Sequence, residues 1–238
     1  MKAMLFAAGL GTRLKPFTDN NPKALALVNG KTLLEHNIRY LQRHGIDNVV
    51  INVHHFASMI EDVLTANKGF GSNITISDER LEVLETGGGL KNAAHLLHNS
   101  DPFVVMNVDV LTNLDLSKII AAHKADNALA TLAVMNRTSS RHFLFDSAMA
   151  LCGWTNNTTG EKKASRDTQH TLPFAFSGIQ VVSAALLNDM PFEGKFSIVD
   201  EYLYLARQHT IRGYDHTGDV FIDVGKPESI EKAAGFFQ

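Results

Sequence analysis

Six consecutive apolar residues, Ala3 to Ala8, lead without a break into Gly9-Leu10-Gly11-Thr12-Arg13, and the chain then passes Pro16 and Pro22 to reach Lys23. No other stretch limits the fold as much. An apolar run of this length without polar alternation predicts a short strand buried on both faces. Gly9 and Gly11 lack a Cβ, so the backbone beyond Ala8 can turn sharply and bring its N–H groups close to a bulky anion. Thr12 adds a hydroxyl donor and Arg13 a permanently charged planar fork. Lys23 adds a second cation, whose direction the two prolines help to set. Together they predict a polyphosphate cradle at the end of a strand.

Two commoner glycine motifs do not fit. A dinucleotide fingerprint needs a third glycine where Leu14 stands, and a Walker loop needs a Gly-Lys-Ser/Thr ending that is absent. A bare Gly-x-Gly reads equally well as a tight turn, but the full string is more specific. Gly9-x-Gly11-Thr12-Arg13 followed by Pro22-Lys23 resembles the signature of the sugar-phosphate nucleotidyltransferases, which make nucleoside diphosphate sugars. The resemblance implies a Rossmann-like fold in which Ala8, Gly9, Gly11, Thr12, Arg13 and Lys23 hold the nucleotide, with Arg13 and Lys23 as the catalytic cations.

A chain of 238 residues, 45% of them hydrophobic, is long enough for one large core. It reads as a single domain over 1–238, with a nucleotide half at about 1–110, a sugar lobe at about 135–185 and a C-terminal strand and helix at about 210–238. A formal charge of -3 gives no reason to expect a nucleic-acid or membrane-surface partner. The single cysteine, Cys152, cannot form an internal disulfide. That favours a reducing compartment, so a cytoplasmic location is expected. The N-terminal apolar run flows into Gly11-Thr12-Arg13 with no cleavage pattern, so a signal peptide is not expected.

Thr32 and Glu35 predict a capping box for a helix ending near Gly45. Asn48 to Val53 and Asn73 to Ser77 read as strands, separated by a helix carrying Phe56, Ile60, Val63 and Leu64 on one stripe. Strands alternating with single helices predict an α/β fold with a doubly wound, mostly parallel sheet, whose ligands lie beyond the carboxyl ends of the strands. Phe143 to Trp154 reads as paired short strands, a small β-rich lobe over the sugar side. Asn156 to Gln169 reads as a polar loop. Adjacent His54 and His55 point to opposite faces of an extended chain and make a poor chelating pair.

Three glycines, Gly87 to Gly89, stand before a helix bearing Leu90, Ala93, Ala94 and Leu97. They read as a loop that something approaches closely. By resemblance this is the base-recognition loop, with Gly87 and Gly88 against the nucleobase. The wording Glu85-Thr86-Gly87-Gly88-Gly89 is similar to the uridylyltransferase branch acting on N-acetylmuramate 1-phosphate, with guanylyltransferases for mannose or heptose 1-phosphate as the alternative.

Phe103 to Asp109 is an apolar strand whose polar residues come only at its C-terminal end, where they meet the ligand crevice. Asp109 is therefore read as a metal ligand, its hard oxygens suited to Mg²⁺, although a turn cap would use the same residue. Asp223 repeats the pattern in Val220-Phe221-Ile222-Asp223-Val224-Gly225, ahead of a helix opened by Pro227. Lys226 and Phe221 depart from the family wording, which has threonine and often tryptophan there. The resemblance further implies that Glu161 takes sugar hydroxyls and Lys162 the sugar's phosphate, and that Asn107, Gly153 and Gly178 lie along the sugar. A solvated charge cluster and strand bulges are the alternative readings of these positions.

The partners implied are a nucleoside triphosphate and a sugar 1-phosphate. A phosphate nucleophile is already ionised at neutral pH, so no catalytic base is needed. The protein must instead gather cations around two polyanions. A metal-dependent glycosyltransferase has no use for Arg13 and Lys23 placed to hold a triphosphate tail. A non-catalytic sensor would keep the fold and lose Lys23 or a carboxylate.

Overall fold

The computed structural model describes residues 1–168 and 170–237, so Gln169, the last residue of the expected polar loop, lies outside it. Strand β1 (Lys2–Phe6) lies at the centre of the main sheet, paired in parallel on both sides. Its side chains alternate between two cores: Ala3 and Leu5 join one hydrophobic cluster, Met4 and Phe6 the other. An unbroken apolar strand is what a sheet covered on both faces requires.

After β1 come three short 3₁₀ turns, Thr12–Leu14, Phe17–Asp19 and Lys23–Leu25, and the hairpin of β2 (Leu27–Val28) and β3 (Lys31–Thr32). Helix α1 (Leu33–Arg43) starts where the Thr32 hydroxyl accepts the Glu35 N–H at 3.0 Å. Strand β4 (Asn48–Val53), helix α2 (Ala57–Ala66) and strand β5 (Asn73–Asp78) complete the first winding, with β4 and β5 parallel. Helices α3 (Glu85–Asn92) and α4 (Ala94–Leu97) lead to β6 (Phe103–Asn107), parallel to β1. Next come β7 (Val110–Thr112), α5 (Leu116–Asp126) and β8 (Ala130–Met135).

The lobe is a meander of β9 (Arg141–Phe145), β10 (Leu151–Asn156) and β11 (Lys162–Ala164), each antiparallel to the next. The expected polar loop therefore carries a short strand, because Lys162 to Ala164 pairs with Gly153 to Thr155. Strand β12 (Leu172–Val182) belongs to both parts. Its start pairs with β9, and its later residues run antiparallel between β6 and β8. Helix α6 (Ile198–Leu205) and strand β13 (Ile211–Asp215), which runs parallel to β8, follow. The main sheet thus has the order β5-β4-β1-β6-β12-β8-β13, with β12 the antiparallel member. The mostly parallel α/β expectation holds.

The chain ends with β14 (Phe221–Asp223) and α7 (Pro227–Ala234). Here the expectation needs correcting, because β14 is not at the top of the main sheet. It pairs antiparallel with β7 in a separate two-stranded ribbon. A third small core explains the placement: Leu14, Val28, Leu33, Leu111, Ile222, Val224 and Ala233 pack together, tying the C-terminal segment to the N-terminal turns. Among the described residues, no helix is long and apolar enough to cross a membrane.

Candidate active site

A cleft of about 330 Å³ opens beyond the carboxyl ends of β1, β4 and β6. Ala8, Gly9, Gly11, Lys23, Asn107 and Asp109 line it, so six of the residues expected from the sequence meet there. Gly11 has φ 63° and ψ 29°, the left-handed region that glycine enters without a steric cost. A Cβ on Gly11 would also lie 2.9 Å from the Lys23 Cβ and from Thr18 Cγ2. Its absence lets the Lys23 segment close over the turn, and the Thr18 hydroxyl donates to the Gly11 carbonyl at 2.9 Å. Thr12 and Arg13 follow, both exposed and neither lining the cleft.

The segments carrying Asp109 and Asp223 run side by side. Asp223 is the register partner of Val110, and the Val224 N–H donates to the Asp109 carbonyl at 2.8 Å, which places the metal-ligand candidates on adjoining positions of the ribbon. Each is matched with a cation. Lys23 Nζ donates to Asp109 Oδ2, with both side chains largely buried. Arg13 Nη2 lies 3.5 Å from Asp223 Oδ2 at the surface. Among the described residues, no three His, Cys, Asp or Glu side chains converge as a metal site. His54 bonds the Glu79 carbonyl at 2.7 Å, and His55 stacks on Phe56.

Other expected residues lie elsewhere. Gly87, Gly88 and Gly89 are inside α3, not in a loop before it. A Cβ on Gly87 would meet the Phe196 ring at 2.4 Å, and one on Gly88 the Gly194 carbonyl oxygen at 2.1 Å. The helix accepts the glycines because another segment lies too close for any side chain. Gly87 and Gly88 therefore face Gly194 to Phe196, while Glu85 and Thr86 line the cleft. Gly153 packs under the Lys163 carbonyl, where a Cβ would be at 2.6 Å. Lys162 lines a separate groove on the lobe with His142, Thr155 and Pro173. Glu161 is beside it in the hairpin, 3.6 Å from Lys163 Nζ. Gly178 makes a bulge in β12 at φ 68° and backs onto Asn107, whose Nδ2 would be 2.6 Å from a Cβ there.

Two polar cleft residues escaped the sequence reading, Asn52 and Glu79. The Asn52 side-chain oxygen accepts from the N–H of Ala7 at 2.7 Å and of Ala8 at 3.3 Å, and its Nδ2 donates to Glu79 Oε1 at 2.7 Å. Glu79 is 3% exposed, its Oε2 has no partner, and burial pushes its carboxyl above the usual range. A signal was available, since Asn52 is a polar residue at the C-terminal end of an apolar strand, as Asn107 is.

The family model for nucleotidyl transferases matches residues 2–143. The chain belongs to this family. It is 32% identical to the N-acetylmuramate alpha-1-phosphate uridylyltransferase of Caulobacter vibrioides, over 95% of this chain and 93% of that one. With the protein of the same name from Neisseria meningitidis serogroup B it shares 30% identity, over 94% and 93%. The crystal structure of HddC from Yersinia pseudotuberculosis complexed with GMP-PN superposes with a TM-score of 0.78, covering 100% of this chain and 99% of that one at 24% identity. At that identity the likeness shows the fold.

Proposed function

We propose that this protein is a Mg²⁺-dependent uridylyltransferase that joins UTP to N-acetylmuramate 1-phosphate with release of pyrophosphate. It acts in the cytoplasm on soluble substrates, without nucleic-acid or membrane partners. The observation that carries this reading is the pairing of Lys23 with Asp109 in the cleft and, on the adjoining segment, of Arg13 with Asp223. The choice of base and sugar is supported by two relatives named for that reaction that align over more than nine-tenths of both chains.

An oxygen of the sugar phosphate forms a bond to the α-phosphorus of UTP. The bond from that phosphorus to the bridging oxygen breaks, and its electron pair leaves with pyrophosphate. No proton has to move, so the residues act by position and charge. Arg13, exposed beside Asp223, grips the outer phosphates. Lys23, deeper and beside Asp109, lies between the phosphates of the two substrates. The Glu79, Val83 and Thr86 end of the cleft receives the base, and Asn107 and Gly178 mark the sugar side. Asp109 and Asp223 would hold Mg²⁺: both are hard oxygen donors on adjoining positions, and this ion takes its remaining ligands from phosphate and water. Bound there, Mg²⁺ supplies positive charge to the transferred group and the leaving pyrophosphate.

Pyrophosphate release from each common triphosphate paired with a panel of sugar 1-phosphates tests the reading. Release with UTP and N-acetylmuramate 1-phosphate supports it. Release with GTP and a mannose or heptose 1-phosphate would replace it by the guanylyltransferase reading. Binding of nucleotide with no release under any pairing would leave a sensor.

A further inference from the structure

Arg137 stands just past the end of β8 and has no part in the reaction described above. Its Nη2 donates to the Phe176 carbonyl at 2.9 Å, two residues before the Gly178 bulge. Its guanidinium carbon lies 4.6 Å from the centre of the Phe221 ring, two residues before Asp223, whose charge it feels. The side chain is therefore held between the Asn107–Gly178 side of the cleft and the acidic ribbon. It is partly buried, and its Nε is shut off from solvent with no hydrogen-bond partner. Among the described residues, no carboxylate pairs with it.

Four other cations have carboxylate partners. Arg13 is matched with Asp223, Lys23 with Asp109, Lys163 with Asp200 at 2.7 Å and Lys195 with Glu85 at 3.9 Å. The enclosed Nε of Arg137 is out of a ligand's reach, so the Nη edge of the fork, where Nη2 shares itself with the Phe176 carbonyl and no carboxylate among the described residues pairs, is the part left to meet a ligand. Its flat fork suits a carboxylate, which it can hold at two points.

We infer that Arg137 is a specificity residue that grips the carboxylate of an acidic sugar 1-phosphate. The inference rests on the proposed N-acetylmuramate 1-phosphate reading, because that sugar carries a lactyl carboxylate in addition to its phosphate. Neutral sugar phosphates lack this group and gain nothing from Arg137. A mere brace between β12 and Phe221 would serve every substrate alike.

The test compares wild type, R137Q and R137K on N-acetylmuramate 1-phosphate, its lactyl methyl ester and N-acetylglucosamine 1-phosphate, with UTP as the second substrate. R137Q is expected to raise KM for N-acetylmuramate 1-phosphate roughly ten- to a hundredfold. KM for UTP and for both carboxylate-free sugars should stay within about twofold, so that removing the arginine and esterifying the sugar are not additive. R137K should recover part of the loss. Equal losses on all three sugars, or no loss on any, would overturn the inference and leave the uridylyltransferase reading intact. A wild-type enzyme that turns over only neutral sugar phosphates overturns both. Should R137Q fail to fold by thermal melting, wild type decides the matter: a preference for the acid over its ester supports the inference, and equal use of the two defeats it.

Discussion

Arg13 and Asp223, from opposite ends of the chain, form an ion pair with Nη2 3.5 Å from Oδ2. Gly225 lies against this pair, where a Cβ would come within 2.6 Å of both side chains. Lys23 and Asp109 form the second pair beside it. Each cation suited to phosphate is thus held by a carboxylate suited to a metal ion. Loading the site exchanges partners, so metal and nucleotide should assist each other's binding. Calorimetry should find UTP bound more weakly without Mg²⁺ than with it. D223N, by freeing an exposed arginine, should bind metal-free UTP about two- to fivefold more tightly than wild type. Weaker metal-free binding by D223N would show that the pair does not hold Arg13 back.

The two cations should differ in what else they support. Arg13→Ala and Lys23→Ala should each lower kcat by roughly a hundred- to a thousandfold if each stabilises developing charge. The Arg13 pair is exposed on both sides, 56% and 45%, so its loss should leave stability within about 0.5 kcal/mol. The Asp109 side chain is only 15% exposed. Stripped of Lys23, it is left desolvated and unpaired, at a cost of about 1–3 kcal/mol. Urea denaturation of the two variants should therefore separate what their kinetics do not.

The glycines divide in the opposite sense. Helix propensity alone says Gly88→Ala should stabilise α3 by up to about 1 kcal/mol. The 2.1 Å approach of the Gly194 carbonyl to a Cβ there reverses the sign, and overpacking against backbone should cost about 1–3 kcal/mol. Gly9 has nothing within 4 Å of a Cβ and lines the cleft. Gly9→Ala should melt like wild type and lose activity, because a methyl group stands where phosphate approaches. Equal thermal midpoints for G88A and wild type would contradict the packing described for α3.

Features coded within a few neighbouring residues were legible in the sequence. Strand β4 begins at Asn48 and ends at Val53 as its β-branched run implies, and the Thr32 cap forms as the Thr32–Glu35 spacing predicts. Asp109 reaches the cleft because polar residues ending apolar runs mark the crevice end of a strand. Features set by distant contacts were not. The glycines of α3 look like a loop until Gly194 to Phe196 comes to lie against them. Lys162 faces a groove on the lobe because of its register with Thr155, which nothing nearby in the sequence declares. The bridge from Asn52 to Glu79 spans two parallel strands, and two such residues carry no spacing rule.

Glu201 gives the fold a pH dependence of its own. It sits in α6 with 0% exposure, and neither carboxyl oxygen has a hydrogen-bond partner. Burial raises its pKa from 4.5 to about 7, with the nearby Lys91 charge only partly opposing. In the folded state the proton stays on until about pH 7, whereas the unfolded chain releases it near 4.5. Between those values the folded state binds more protons, so stability falls as pH rises and levels off above about 7. The total loss is about 3 kcal/mol. Glu201→Gln keeps the neutral shape and removes this contribution, so urea midpoints should show the variant close to wild type at pH 5 and clearly more stable at pH 8. Glu79, also pushed up by burial, leaves a residual slope of the same sign in both proteins. A variant whose stability declined with pH as steeply as wild type would mean that Glu201 has found a partner in the folded chain and is ionised there.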